Sequence, residues 1–381
     1  MNSRERDTQA LKNKKNELVS NFVGRSNLKA TLQTLNTLVP VLLLTAAGVA
    51  STSISYWLTA GIIVLLTLFL LRSFVLLHDC GHNAMFANPK LNSAVGFVFG
   101  VFCGMPQYVW SRHHDYHHST NGNWNKYRGP LAVLSASEYA QLNDKQKRGY
   151  ARQRRIWMGP LAGFLYFVFN PRFTWMKGSV ALIRHMVKRI QQGDARSLSA
   201  AAEGFETPYW DNWKEFRHIT GNNLVLLTCW TLATLAFGPA FLLVYVTALS
   251  LAGASGIILF TVQHNFEGSY ASGDEGWDYH TAALEGTSYL KLPRVLHWFT
   301  ADIGYHHIHH LSARIPNYLL RDCHHAYKDL FRNVPRLTLK DVPRSMQYII
   351  WDEDAQTLIT QAQFEERNLN NSVEDAAGSA A

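Results

Sequence analysis

Four stretches of the chain are apolar and uncharged, or nearly so, over lengths comparable to a bilayer core. They run 35–52, "LNTLVPVLLLTAAGVAST"; 55–77, "SYWLTAGIIVLLTLFLLRSFVLL"; 223–237, "NLVLLTCWTLATLAF"; and 240–262, "AFLLVYVTALSLAGASGIILFTV". About 20 helical residues cross a hydrocarbon core, so each predicts a span. The gaps within each pair, at 53–54 and at Gly238 and Pro239, are too short for anything but a tight reversal. The pattern therefore predicts two antiparallel helical hairpins. Two shorter apolar runs, 91–105 and 156–169, fall below spanning length and predict interfacial or half-inserted segments. Everything else is polar, and the tail from Glu365 predicts partial disorder.

Charge orients this frame. The gaps inside the hairpins carry no charge, whereas Arg4, Arg6, Lys12, Lys14, Lys15, Arg25 and Lys29 precede the first span. Arg148, Arg152, Arg154, Arg155, Lys188 and Arg189 lie between the hairpins. Basic residues favour the cytoplasmic side, which puts both termini and the middle segment there. The net charge of +8 thus belongs to a membrane face and predicts no nucleic-acid partner. No signal peptide is apparent: the first apolar run begins behind about 34 polar residues. "GVAS" at 48–51 resembles a cleavage site, but cutting there would remove a span. Cys80, Cys103, Cys229 and Cys323 form no C-x-x-C pair, which argues against a zinc ribbon, a thiol redox motif, a cysteine-ligated cluster or a disulfide framework.

Seventeen histidines matter because they cluster. "HDCGH" (78–82) follows the second span, and His78 and His82 lie one turn apart on one helix face. "RHHDYHH" (112–118) offers H-x-x-H-H as His114, His117 and His118, although His113 permits a second reading, H-x-x-x-H-H. "HHIHH" (306–310) repeats the pattern as His306, His309 and His310, and His264 stands at the mouth of the fourth span. All of these fall on one side of the membrane. Adjacent histidines on a helix diverge by about 100°, so such pairs suit two neighbouring ions. Imidazole suits iron, zinc, copper or nickel. Nine imidazoles exceed one coordination sphere and divide over two. Soluble di-iron bundles use Glu and Glu-x-x-His instead, and no such repeat occurs here. Two metals below apolar hairpins suggest oxidative chemistry on a lipid chain.

These boxes resemble those of the membrane-bound fatty acid desaturases, H-x(3,4)-H, H-x(2,3)-H-H and H/Q-x(2,3)-H-H, across roughly 40–330. The stretch 277–318, "WDYHTAALEGTSYLKLPRVLHWFTADIGYHHIHHLSARIPNY", is similar to the bacterial acyl-lipid branch. The resemblance implies an all-α membrane protein: four spans in two hairpins under a cytoplasmic helical cap, in the bacterial inner membrane. It divides the chain into an amphipathic N-terminal segment (1–34), a membrane desaturase domain (35–335) and a C-terminal tail (336–381). It implies two iron ions on His78, His82, His114, His117, His118, His264, His306, His309 and His310, with O2 as co-substrate. Asp79, Asp115, Asn265, Glu267 and Asp302 sit beside these positions, and metal-bound imidazoles usually donate their other N–H to an oxygen. The implied substrate is a fatty acyl lipid. No H-P-G-G haem signature occurs, so electrons would come from a separate carrier, ferredoxin or flavodoxin with its reductase. Membrane hydroxylases and ketolases share similar boxes and form the nearest rival reading. A metal transporter is more remote, because the spans hold almost no ionisable group besides Arg72.

Overall fold

The computed structural model describes residues 3–129 and 131–378. Four helices in it are long and apolar enough to cross a membrane: Asn27–Ser51, Tyr56–Gly81, Trp213–Phe237 and Ala240–His264. Each begins where local chemistry allows. Ser26 and Ser55 cap the first two through their hydroxyls, accepting from Lys29 N and Leu58 N. Asn212 caps the third and Pro239 opens the fourth. The third span starts ten residues before the apolar run does. Its first turns carry Lys214, Glu215 and Arg217, so a hydropathy window sees only the apolar remainder of one continuous helix. The fourth continues to His264, two residues past the run.

The second span is the central post. Its one cationic side chain, Arg72, is buried, donates from Nε to Thr37 Oγ1 at 3.0 Å and to the Trp298 carbonyl, and lies over the Trp298 ring. A paired intramembrane cation of this kind ties spans to the polar end rather than lining an ion path. Small residues let other helices close in. Gly163 sits against the backbone of the fourth span, where an added Cβ would stand 2.0 Å from the Ser250 carbonyl oxygen and 2.4 Å from Ala254 N.

The two sub-length apolar runs take distinct forms. Pro89–Cys103 and Gln107–Thr120 are two helices bent by 100°. Gly104, at φ 66°, caps the first, and Pro106 follows it, so the helix cannot run on. The other run lies within a continuous helical rod from Gly159 to Gln191: a turn of α-helix, a π-helical segment Phe164–Phe169, then α-helix Asn170–Gln191.

The polar end is not purely helical. The protein is mostly helical, as expected, but among the described residues five short strands knit the cap. In chain order they are β1 (Leu134–Ser135), β2 (Tyr289–Lys291), β3 (Arg336–Thr338), β4 (Tyr348–Asp352) and β5 (Thr357–Thr360). β1 pairs parallel with β4 and β4 antiparallel with β5, while β2 pairs parallel with β3. Strands of two to five residues carry too little alternation to be read from sequence. The tail, expected to be partly disordered, is a helix over Gln361–Gly378; residues 379–381 of that expectation lie outside the described residues. At the other end, helix Ser3–Phe22 buries Leu11 and Leu18 against the cap, and Lys12 pairs with Asp278 at 2.8 Å.

Candidate metal centre

Four chain segments deliver histidines to one place. The second span ends at Gly81 with His82 as its cap, which sets His78 and His82 at the mouth of the central post. Helix Gln107–Thr120 brings in the second box, the fourth span ends on His264, and a six-residue helix, His306–Leu311, carries the third. Their ring nitrogens form two groups, each with ligand atoms within 4.8 Å of one another. One holds His78, His82, His114, His118 and His309; the other holds His117, His264, His306 and His310. The groups abut: the His118 and His310 rings stack at 4.2 Å.

Helix geometry explains the split. His114 and His118, one turn apart, face the first group, and His117 turns away to the second; His306 and His310 face the second, and His309 turns to the first. His113 is exposed and joins neither group, so the structure brings His114 rather than His113 into the cluster.

The nitrogen geometry fits metal ions. Nε2 of His306 lies 3.0 Å from Nε2 of His264, Nε2 of His118 lies 3.0 Å from Nε2 of His114, and Nε2 of His117 lies 3.2 Å from Nε2 of His310. Two imidazoles bound at right angles to one ion, with metal–nitrogen bonds of about 2.1 Å, hold their nitrogens about 3 Å apart. Nε2 of His82 and Nε2 of His309 are buried with no hydrogen-bond partner among the described residues. Orphaned acceptors are costly, and an ion would satisfy them. Burial, with the neighbouring imidazoles as the next cause, pushes His306, His309 and His310 well below the usual histidine range. They are therefore neutral and carry free lone pairs at physiological pH.

Outer contacts fix the rings. Asp79 Oδ1 lies 3.1 Å from His78 Nδ1, and its Oδ2 accepts from Asn317 N at 3.0 Å and Asn317 Nδ2 at 2.7 Å. Asp115 Oδ1 lies 3.1 Å from His82 Nδ1. Three of the five expected supports do not reach a box histidine. Asn265 donates to the Tyr348 carbonyl, Glu267 pairs with Arg344, and Asp302 sits between His297 and Arg321. Proximity in sequence misleads at these three because each lies past a helix end, where the chain turns away. Other supports come from afar and carry no sequence signal. The Gly286 carbonyl accepts from His264 Nδ1 at 3.1 Å, and Tyr279 Oη donates to the His310 carbonyl at 2.6 Å. Nearer by, Trp110 stands one helical turn before His114 and its ring stacks on it at 4.6 Å. His307 points away, to His324 at 3.1 Å.

A cavity of about 800 Å³ opens beside the histidines. His78, His114, His117 and His306 form one end. Leu71, Phe74, Val75, Ile257, Leu259 and Phe260 give it apolar walls, and it runs out past Leu165, Tyr166, Asn170 and Thr174. A largely apolar cavity lined in part by box histidines, in a protein with four helices long and apolar enough to span a membrane, fits a metal-dependent oxidoreductase of lipid chains.

Comparison with known proteins agrees. Residues 55–338 match the fatty acid desaturase family. The chain is 33% identical over 344 residues to a fatty acid desaturase of Bacillus subtilis, covering 90% of this chain and 88% of that one. It is 25% identical over 252 residues to the sn-1 oleoyl-lipid 12-desaturase of Anabaena variabilis, 65% of this chain and 62% of that protein. A 68-residue stretch, 18% of this chain and 14% of the relative, is 40% identical to the chloroplastic sn-2 acyl-lipid omega-3 desaturase (ferredoxin) of Arabidopsis thaliana. The protein belongs to the fatty acid desaturase family and is an oxidoreductase of that class.

Proposed function

We propose that this desaturase inserts a double bond into an acyl chain esterified to a membrane lipid, using O2 and two electrons at a pair of iron ions. The observation that carries the reading is the convergence of nine histidines in two groups, four of which, His78, His114, His117 and His306, line a largely apolar cavity. The overall change balances as –CH2–CH2– + O2 + 2 e⁻ + 2 H⁺ → –CH=CH– + 2 H2O. His78, His82, His114, His118 and His309 would hold one ion, and His117, His264, His306 and His310 the other. When bound, the irons supply the oxidising power by activating O2.

The chain's own residues do the positioning. Asp79 and Asp115 accept from the outer nitrogens of His78 and His82, which leaves the inner lone pairs facing the site. The Gly286 carbonyl does the same for His264. The apolar walls exclude water and hold one carbon pair near the histidines, because the acyl chain has no polar handle there. Electrons come from a separate ferredoxin or flavodoxin with its reductase. The active site and both termini face the cytoplasm from the bacterial inner membrane, with divisions at 1–34, 35–335 and 336–381.

The test is gas chromatography–mass spectrometry of fatty acids from bacteria expressing this chain or its His309→Ala variant, with a ferredoxin system supplied. A new unsaturated acid that appears only with the unmutated chain is expected. An oxygenated acid would replace the reading with hydroxylation.

A further inference from the structure

The rod that passes the cavity mouth has an unpartnered face. Along Asn170–Gln191, Phe173, Met176, Val180, Ile183, Val187 and Ile190 recur every three or four residues, and each is 38–58% exposed. They form one largely open apolar stripe about five turns long; Phe169 and Lys177 cover part of its first residue, Phe173. Lys177, Arg184 and Lys188 each stand one position after a stripe residue, so they line one flank of it, and the helix contains no Asp or Glu. An exposed apolar stripe flanked by cations is the pattern of a helix lying in an anionic membrane interface.

Two further observations fix where that interface meets the site. Toward its N-terminus the rod packs through Gly163 against the backbone of the fourth span, so the stripe continues a surface already inside the membrane. Leu165 and Tyr166 are each 38% exposed and also line the cavity. The slot therefore opens on the stripe side of the rod. Tyr166 Oη accepts from Trp110 Nε1 at 2.8 Å, and Trp110 stacks on His114, so a single contact chain runs from mouth to histidine.

We infer that helix Asn170–Gln191 lies in the headgroup–acyl boundary of an anionic leaflet and that the cavity mouth at Leu165 and Tyr166 admits the acyl chain of a glycerolipid sideways from that leaflet. The inference deepens the proposed function and rests on it for the chemistry alone. The lipid keeps its headgroup in the interface, beside Lys177, Arg184 and Lys188, while one acyl chain passes under the rod toward the histidines.

Two readouts on the full-length protein test this without turnover. Ile183→Cys, in a Cys229→Ser background, is labelled with an environment-sensitive fluorophore in nanodiscs of phosphatidylethanolamine and phosphatidylglycerol. Nitroxide on the upper acyl carbons should quench it at least twofold, and a fluorophore unaffected by lipid nitroxide and quenched by iodide would overturn the interfacial placement. In the second, Leu165 is replaced by p-benzoylphenylalanine and the nanodisc is irradiated. A covalent glycerolipid adduct, found by mass spectrometry of the intact protein, is expected. Its absence, or adducts restricted to added acyl-CoA, would overturn lateral admission. If the adduct forms and no desaturation is ever seen, the proposed chemistry fails and the lipid path stands; if desaturation is seen without an adduct, the reverse holds.

Discussion

Asp79 does more than its place beside His78 suggests. One oxygen meets the His78 ring, and the other takes two hydrogen bonds from Asn317, 238 residues further along the chain. The carboxylate thus fixes the ring of one expected ligand and anchors the chain just past the third box. Asp79→Ala should lower iron affinity by about 10–100-fold, measured by competition with a chromophoric chelator. Removing an expected ligand is harsher: His309→Ala should lose bound iron and all activity. His280→Ala, at a ring outside both groups, should leave iron content and activity close to the parent. At this scale the box spacing alone makes the histidines readable, because helical periodicity projects them in pairs. Gly286, Asn317 and Tyr279 were not readable, because a carbonyl or hydroxyl brought in by folding leaves no trace in composition.

Between elements, the second and third boxes divide their labour in opposite senses. Gln107–Thr120 turns two histidines to the first group and one to the second; His306–Leu311 does the reverse. Each helix contributes to both histidine groups, so rotating one would disturb both. The rod that flanks them depends on a close approach: Gly163→Ala places a methyl carbon against the Ser250 carbonyl and Ala254 N of the fourth span. Overpacking of this kind typically costs about 1–3 kcal/mol, so the variant should show a lower thermal midpoint in detergent. Element reading from sequence worked where apolar runs were long and uncharged. It shortened the third span because Lys214, Glu215 and Arg217 mask its first turns, and it passed over β1 and β4 because two to five residues establish no period.

For the molecule as a whole, the polyhistidine core sets a pH limit. Burial first, and neighbouring imidazoles next, hold the pKa of His306, His309 and His310 well below the usual histidine range in the fold. The unfolded chain therefore binds more protons than the folded one below the free-histidine value of about 6.5. Stability is complete above that pH and falls as pH drops below it, by about 1.4 kcal/mol per pH unit for each such ring. Metal-free protein should lose its thermal midpoint steadily between pH 6.5 and 5, while protein loaded with iron should resist until the ions leave. The same core acts as a clasp. His78 leaves the ribosome early, and His310 follows 232 residues later, after all four spans have been threaded into the bilayer. If the two groups hold the proposed iron pair, the ends of that interval can be locked only once the last box has arrived, and the metal would be the final fastening of an already inserted chain. Cells starved of iron should accumulate full-length, membrane-inserted protein that a protease cuts in the loops around the boxes, and a pulse of iron should restore resistance without new synthesis.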